Sequence, residues 1–223
     1  MIAKEHMALL IRGAEQLDVE LTEENINQIA IYLEELKRWA KIADLVSQSD
    51  PETIIRKHIL DSLAIITFLP LHGRLIDLGS GAGFPGLPIA IANSALSATL
   101  LEPRRKRVNF LKEVIRKTSL TNAQAYEGRA EEFVHRDGWR SAFDIVITRA
   151  TWNICEFLIV ASPFITQDGI IVAMKGAKAE EEVKSSLREL ATTGLAIKAT
   201  HKYLLPYGNE ERRIFVFTKK SST

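Results

Sequence analysis

The chain has 223 residues, 46% of them apolar and 26% charged, with a net charge of +1. That is enough for one α/β domain with a full core and a small helical appendage, and it excludes a polycation that binds nucleic acid by global attraction. The single cysteine, Cys155, excludes an internal disulfide; no Cys/His cluster has zinc spacing and no run reaches the length of an apolar membrane span.

Cys155 reads first as a small core residue on a helix and second as a reactive thiol. A lone thiol fits a reducing, cytoplasmic setting. The start, Met1-Ile2-Ala3-Lys4-Glu5-His6, lacks the apolar segment and small-residue cleavage site of a secretory signal.

The first third reads as helical. Residues 3–16 carry apolar side chains at helical spacing. Thr22 is a good N-cap, with Glu23 and Glu24 in the first turn. Ile26, Ile29, Ala30, Leu33, Leu36 and Ala40 then form one face of a long amphipathic helix. Asp50-Pro51 opens another helix, expected to run through Ile66. The pattern changes at His72-Gly73, where short apolar runs begin to alternate with helical segments. Strands are expected at 75–78, 98–101, 123–126, 143–148, 170–175, 197–204 and 213–218. Helices are expected at 86–93, 105–117, 153–161 and 180–192. This alternation implies a doubly wound, mainly parallel sheet. Only Pro206-Tyr207-Gly208-Asn209 separates the last two strands, which favours a C-terminal antiparallel hairpin. The expected organisation is a helical cap over residues 1–70 and a nucleotide-type domain over 71–220, joined as one unit.

Leu75-Ile76-Asp77-Leu78-Gly79-Ser80-Gly81-Ala82-Gly83 reads as a strand ending in a glycine turn. Glycines there permit positive φ and let a cofactor approach the backbone. Gly81-x-Gly83-x-x-Gly86 also matches the dinucleotide fingerprint, so the glycines alone leave the cofactor open. Three details favour S-adenosylmethionine. From Gly79 the spacing is G-x-G-x-G. Asp77 offers a carboxylate, which suits an ammonium group and not a pyrophosphate. Pro85 and Pro88 remove N–H donors that a phosphate-binding helix start needs. Glu102 follows the next strand at the offset of an acid that binds ribose hydroxyls. The loop Gly128-Arg129-Ala130-Glu131-Glu132 follows the third strand, where an adenine would lie.

Several ordered motifs then coincide. They are His58-Ile59-Leu60-Asp61-Ser62, Asp77 to Pro88 with its Gly-Phe-Pro-Gly, and Lys106-Arg107-Val108-Asn109-Phe110-Leu111. Arg129-Ala130-Glu131-Glu132, Thr148-Arg149-Ala150, Lys175-Gly176 and Glu211-Arg212-Arg213 follow. From about Leu36 to Phe217 the chain resembles the bacterial 16S ribosomal RNA guanine-N7 methyltransferases, also called glucose-inhibited division protein B. The resemblance implies a Rossmann-like class I methyltransferase acting on N7 of a guanine in the decoding region of 16S ribosomal RNA, on the RNA or the small ribosomal particle. It implies cofactor contacts from Gly79, Phe84, Ala130, Glu131 and Arg149, beside those read from Asp77, Gly81, Gly83 and Glu102. One departure stands out: Asp44-Leu45-Val46 occupies the place of the family's usual Asn-Leu-Thr.

Guanine N7 carries a free lone pair, so the reaction needs orientation and no general base. Arg149 and Lys175, at strand ends, are the candidates to orient the base or hold a phosphate; the alternative for Arg149 is a structural pair with Glu131. Arg104, Arg105 and Arg107 lie in the densest basic run, either as RNA contacts or as a solvated helix start. His58 and Asp61 share a helix face, as pocket support or as a satisfied buried pair. Arg212 and Arg213 alternate across a strand, so at most one faces the ligand side. The other function classes compatible with this fold are a small-molecule methyltransferase and a non-catalytic S-adenosylmethionine sensor.

Overall fold

The computed structural model describes residues 3–46, 50–149, 153–176, 179–185 and 193–220. The cap begins with α1 (Lys4–Glu15) and α2 (Glu23–Ala43). Thr22 caps α2 through a box with Asn25: each side chain accepts from the other's backbone N–H. α2 stops at Asp44, which adopts the left-handed conformation at φ 49°. Asp50 caps α3 (Pro51–Ile54), accepting from the Thr53 N–H at 2.8 Å.

The single helix expected from Pro51 to Ile66 is broken into pieces. A π-helical turn, Ile55–Ile59, follows α3; α4 (Leu60–Leu63) and a 3-10 turn (Ile66–Phe68) complete it. The wider π turn presents the carbonyls of Lys57 and His58 to Arg149.

The second part alternates as expected: β1 (Gly73–Leu78), α5 (Gly86–Ala92), β2 (Leu96–Glu102), α6 (Arg105–Lys117), β3 (Ala123–Glu127), α7 (Ala130–Phe133), β4 (Phe143–Thr148), α8 (Ile154–Ala161), β5 (Ile165–Gly176), α9 (Ala179–Ser185), β6 (Leu195–Leu204) and β7 (Glu211–Lys219). The helix expected over 180–192 is described only to Ser185; the rest lies outside the described residues.

The seven strands form one sheet in the order β3-β2-β1-β4-β5-β7-β6. β1 to β5 run parallel, and β7 is antiparallel to both β5 and β6. β7 is therefore interior, with Arg213 to Phe217 buried in succession, whereas β6 forms the edge and is largely half-exposed.

One buried apolar cluster joins the cap to the sheet, with Leu10, Ile29, Leu33, Leu36 and Leu60 meeting Leu87, Leu100 and Phe110. The α2 stripe is wider than its apolar spacing predicts. Gln28 and Glu35 are buried there too, because Gln28 donates to the Thr118 carbonyl at 3.0 Å and Glu35 pairs with Lys117 of α6 at 2.6 Å. A second cluster covers the other face of the sheet and takes in Cys155, buried on α8. Among the described residues no helix is long and apolar enough to cross a membrane.

Candidate active site

β1 ends at Leu78 and the chain turns through Gly79, Gly81 and Gly83, all at positive φ (75°, 58° and 97°). The turn is stitched to β2. The N–H groups of Gly79 and Ser80 donate to the Leu101 carbonyl at 2.9 and 3.2 Å, and that of Gly83 to the Ser80 carbonyl at 2.7 Å. The Gly81 N–H donates to Glu102 Oε2 at 2.9 Å, and the Arg104 N–H to Glu102 Oε1 at 3.0 Å. Four amides of the turn, those of Gly79, Ser80, Gly81 and Gly83, are thus already occupied and not offered to a pyrophosphate.

A cleft of about 370 Å³ opens beside this turn, at the carboxyl ends of β1, β2 and β3. Gly79, Glu102, Arg104, Arg107, Gly128, Arg129, Ala130 and Glu131 line it. A Cβ on Gly79 would meet nothing within 4 Å, so the missing side chain leaves open space facing the cleft. Glu102 is only 3% exposed, and each of its oxygens keeps acceptor capacity beyond its backbone bond. A neutral or cationic nucleoside fits this donor set: hydroxyls find a carboxylate, the backbone allows close approach, and no amide cradle asks for an anion.

Five expected cofactor contacts, Asp77, Gly81, Gly83, Phe84 and Arg149, do not line this cleft. Asp77 is fully buried; its Oδ2 accepts from the Gly86 N–H at 3.0 Å, so it fixes the start of α5 from below the turn and does not face the cleft. Burial pushes its carboxyl up to about 7 despite that bond. Gly83 serves packing, since a Cβ there would come within 2.5 Å of Leu87 Cδ1 and 3.0 Å of the Tyr32 hydroxyl. Phe84 turns toward the cap, its ring 5.0 Å from a stacked His58 and 5.5 Å from Tyr32.

Arg107 binds the end of α2, its Nη2 donating to the Asp44 carbonyl at 2.6 Å. Asp44 adopts the left-handed conformation there, and its carboxylate also lies 4.0 Å from Arg107 and 3.8 Å from Arg104.

Arg149, directly after β4, lies at the other side of the turn. It is not paired with Glu131. Its Nη1 approaches Asp61 Oδ2 at 3.4 Å and the carbonyls of Lys57 and His58 at 3.3 and 3.4 Å; its Nη2 meets His58 Nδ1 at 2.5 Å. Its guanidinium carbon sits 5.1 Å from the centre of the Phe84 ring. Burial, then the Arg149 charge, pushes His58 down to about 4, so it stays neutral and accepts from the arginine. Held in this way, His58 is not a free RNA contact.

The remaining cations divide sharply. Arg104 and Arg105 are exposed at the start of α6. Lys175 is held by Glu182 of α9 at 3.2 Å. Arg212 approaches Asp61 at 3.5 Å and Glu210 at 2.7 Å. Arg213 is 6% exposed beside Glu211 at 2.7 Å; a side chain so covered does not reach RNA, which corrects its expected role. Sequence reasoning missed Tyr32, whose hydroxyl donates to the Ala82 carbonyl in the turn, and Tyr203, whose hydroxyl donates to Asp61 at 2.7 Å. Neither sits in a motif. Only the apolar spacing of α2 and the alternation of β6 hinted at where they point.

A model of the GidB family, described as rRNA small subunit methyltransferase G, matches residues 25–211. This chain belongs to that family. It is 37% identical over 220 residues to the ribosomal RNA small subunit methyltransferase G of Desulfitobacterium hafniense strain Y51, covering 98% of this chain and 92% of the relative. Against the enzyme of the same name from Syntrophus aciditrophicus strain SB it is 35% identical, covering 96% and 90%. Among solved structures, M. jannaschii TYW2 in complex with AdoMet superposes with a TM-score of 0.57 at 14% identity, covering 73% of this methyltransferase and 76% of that chain. The precorrin-6y C5,15-methyltransferase of Geobacter metallireducens GS-15 gives 0.53 at 14%, covering 78% and 91%. These two likenesses show the fold: a Rossmann-like sheet in this methyltransferase, preceded by its own helical cap.

Proposed function

We propose that this methyltransferase uses S-adenosylmethionine to methylate N7 of a guanine in 16S ribosomal RNA, in the cytoplasm, on the RNA or the small ribosomal particle. The observation that carries the cofactor assignment is the cleft beside Gly79: open space where a side chain would stand, a buried Glu102 at its edge, and turn amides already spent on β2. When bound, the cofactor supplies an electrophilic methyl group on a sulfonium, which the N7 lone pair takes without deprotonation. Glu102 accepts from the ribose hydroxyls; Ala130 and Glu131 border the adenine; Gly79 and Gly81 leave room for the nucleoside. Asp77 and Gly83 act beneath the turn and set its shape. Phe84 and Arg149, packed against one another, contact the cofactor, and Arg149 also orients the guanine. Lys175, fixed by Glu182, bounds the same side. Arg104 and Arg105 offer exposed charges to phosphates, and Arg107 keeps the cap against the cleft.

Incubation of the protein with methyl-labelled S-adenosylmethionine and small-subunit particles, or 16S RNA, lacking the modification tests this. Labelled N7-methylguanosine after nuclease digestion is expected. Its absence from both substrates would overturn the assignment.

A further inference from the structure

The chain is close to neutral as a whole, yet its cations are unevenly placed. Residues 34–44, the second half of α2 with the residue that ends it, and residues 104–117, α6 with the residue before it, hold ten lysines and arginines against four acids. Together they stand at +6, against +1 for the whole chain. The two segments lie side by side. Lys117, at the end of α6, pairs with Glu35 at 2.6 Å, and Arg107, near its start, donates to the Asp44 carbonyl at 2.6 Å, so α6 runs antiparallel to α2. Between these ties the Trp39 and Phe110 rings pack with centres 6.2 Å apart.

Most of the acids are used within the pair. Glu35 is buried between Arg38 and Lys117, Glu113 holds Arg116 at 2.8 Å, and Asp44 faces Arg104 and Arg107. Lys37, Lys41, Arg105, Lys106 and Lys112 are exposed, and none of them forms a salt bridge among the described residues. Lys37 and Lys41 stand one turn apart on α2, and Arg105 and Lys112 two turns apart on α6, so each helix presents its cations as a stripe. Like charges at such spacing destabilise a helix, which points to a use other than stability. The stripes also reach the site: Arg104 and Arg107, at the start of α6, line the cleft beside the glycine turn. An RNA whose guanine reaches a methyl donor in that cleft passes close to the end of this ridge.

We propose that the outward faces of α2 and α6 form a ridge that grips the phosphates of the RNA substrate, so that the helical cap docks RNA as well as packing on the sheet. This rests on the methyl-transfer reading above and extends it from the arginines at the start of α6 to the lysines of the cap. Such contacts fix where the RNA lies and read no sequence.

The test uses the full-length chain with 16S RNA, free and in small-subunit particles, over a range of salt. Lys37→Gln combined with Lys41→Gln removes two charges from α2 and keeps the side-chain stems. The plot of log Kd against log salt is expected to flatten by about 1.5, and the KM for particles to rise roughly 5- to 20-fold at low salt. Over the same range kcat and the S-adenosylmethionine Kd are expected to stay within about twofold of wild type. Lys106→Gln combined with Lys112→Gln on α6 is expected to behave alike. The control removes two exposed lysines of β6, Lys198→Gln with Lys202→Gln, and is expected to change the slope by less than about 0.5. An unchanged slope in the α2 variant overturns the proposal. So does a control that flattens the slope as much, which would reduce the effect to net charge. A loss on particles with none on free RNA also overturns it, since the ridge would then meet a ribosomal protein. If the wild-type protein binds 16S RNA and methylates none, the reading of function fails by itself and the same slopes still judge the ridge; a wild type that binds no 16S RNA sinks both.

Discussion

The two sides of the glycine turn are built on opposite plans. On the β2–β3 side the site is defined by side chains that are missing. Gly79 leaves space, and the one buried charge, Glu102, is satisfied by amides close to it in the chain, Gly81 and Arg104. On the β4–β7 side the site is filled. Lys57, Asp61, Arg149, Tyr203 and Arg212, drawn from distant segments, close it with polar contacts. The contrast is one of open space against fixed polar contacts. A cofactor needs room and a few acceptors, whereas a reaction without an acid or base needs fixed directions.

Variants can break this contrast one side at a time. The largest effect is expected from Gly79→Val, which sets a β-branched side chain at φ 75° and fills the open space of the cleft. It should weaken S-adenosylmethionine binding by ~100-fold or more and cost about 1–2 kcal/mol of stability. Retained affinity in calorimetry would mean that the cofactor lies elsewhere.

Asp77→Asn comes next. Burial raises the Asp77 carboxyl from its ordinary 3.8 to about 7, so the folded state binds the extra proton between those values. Wild-type stability from this group therefore falls as pH rises from about 4 to about 7, by up to ~4 kcal/mol. Asparagine still accepts from Gly86 and has no proton to lose. The variant is expected to lack this slope and to exceed wild type by roughly 1–3 kcal/mol at pH 8. His58 acts in the opposite sense: with its pKa lowered from 6.5 to about 4, its contribution is complete above about 6.5 and disappears as pH falls toward 4. Both proteins share that slope, so urea melts at pH 5 and pH 8 on the pair isolate Asp77. A constant difference between the two pH values would contradict the account.

Glu102→Gln replaces one acceptor oxygen by a donor facing a backbone N–H. A loss of about tenfold in cofactor affinity is expected, with much less change in kcat for bound cofactor. A pure kcat effect would place Glu102 on the wrong side of the comparison. The smallest effect belongs to exposed Arg105. Its change to Ala should leave stability within ~0.5 kcal/mol and reduce the salt slope of RNA binding by about 1. An unchanged slope would remove it from the RNA face.

The two sides were also unequally legible in the sequence. The strand into Gly79, the helix over Arg105 to Lys117, the strand over Phe143 to Thr148 and the Thr22 cap are local patterns, and the structure has them where periodicity and capping place them. Glu102 at the cleft edge was readable from its offset alone. The inward turn of Asp77 was not, because it depends on where α5 starts after the loop. The π turn at Ile55–Ile59 has no local signature; its freed carbonyls make sense only with Arg149 in place, 90 or so residues on. Glu131 was a plausible partner for Arg149 by strand order, but the cap supplied Asp61 instead, and packing between segments far apart in the chain decides such matches. Likewise, alternation separated Arg212 from Arg213, and only the interior position of β7 shows which of them is covered.

The stitched glycine turn also bears on competition among metabolites. Its amides are committed to Leu101, Glu102 and Ser80, so it holds out little to a phosphate. A triphosphate or dinucleotide entering the cleft would find these amides taken and would bring its negative charge up to the buried Glu102, although Arg104, Arg107 and Arg129 also line the cleft. Adenine nucleotides share the nucleoside that the cleft would recognise. The wiring of this turn withholds backbone donors from their phosphates, so the arginines of the cleft are left as the groups that could receive them.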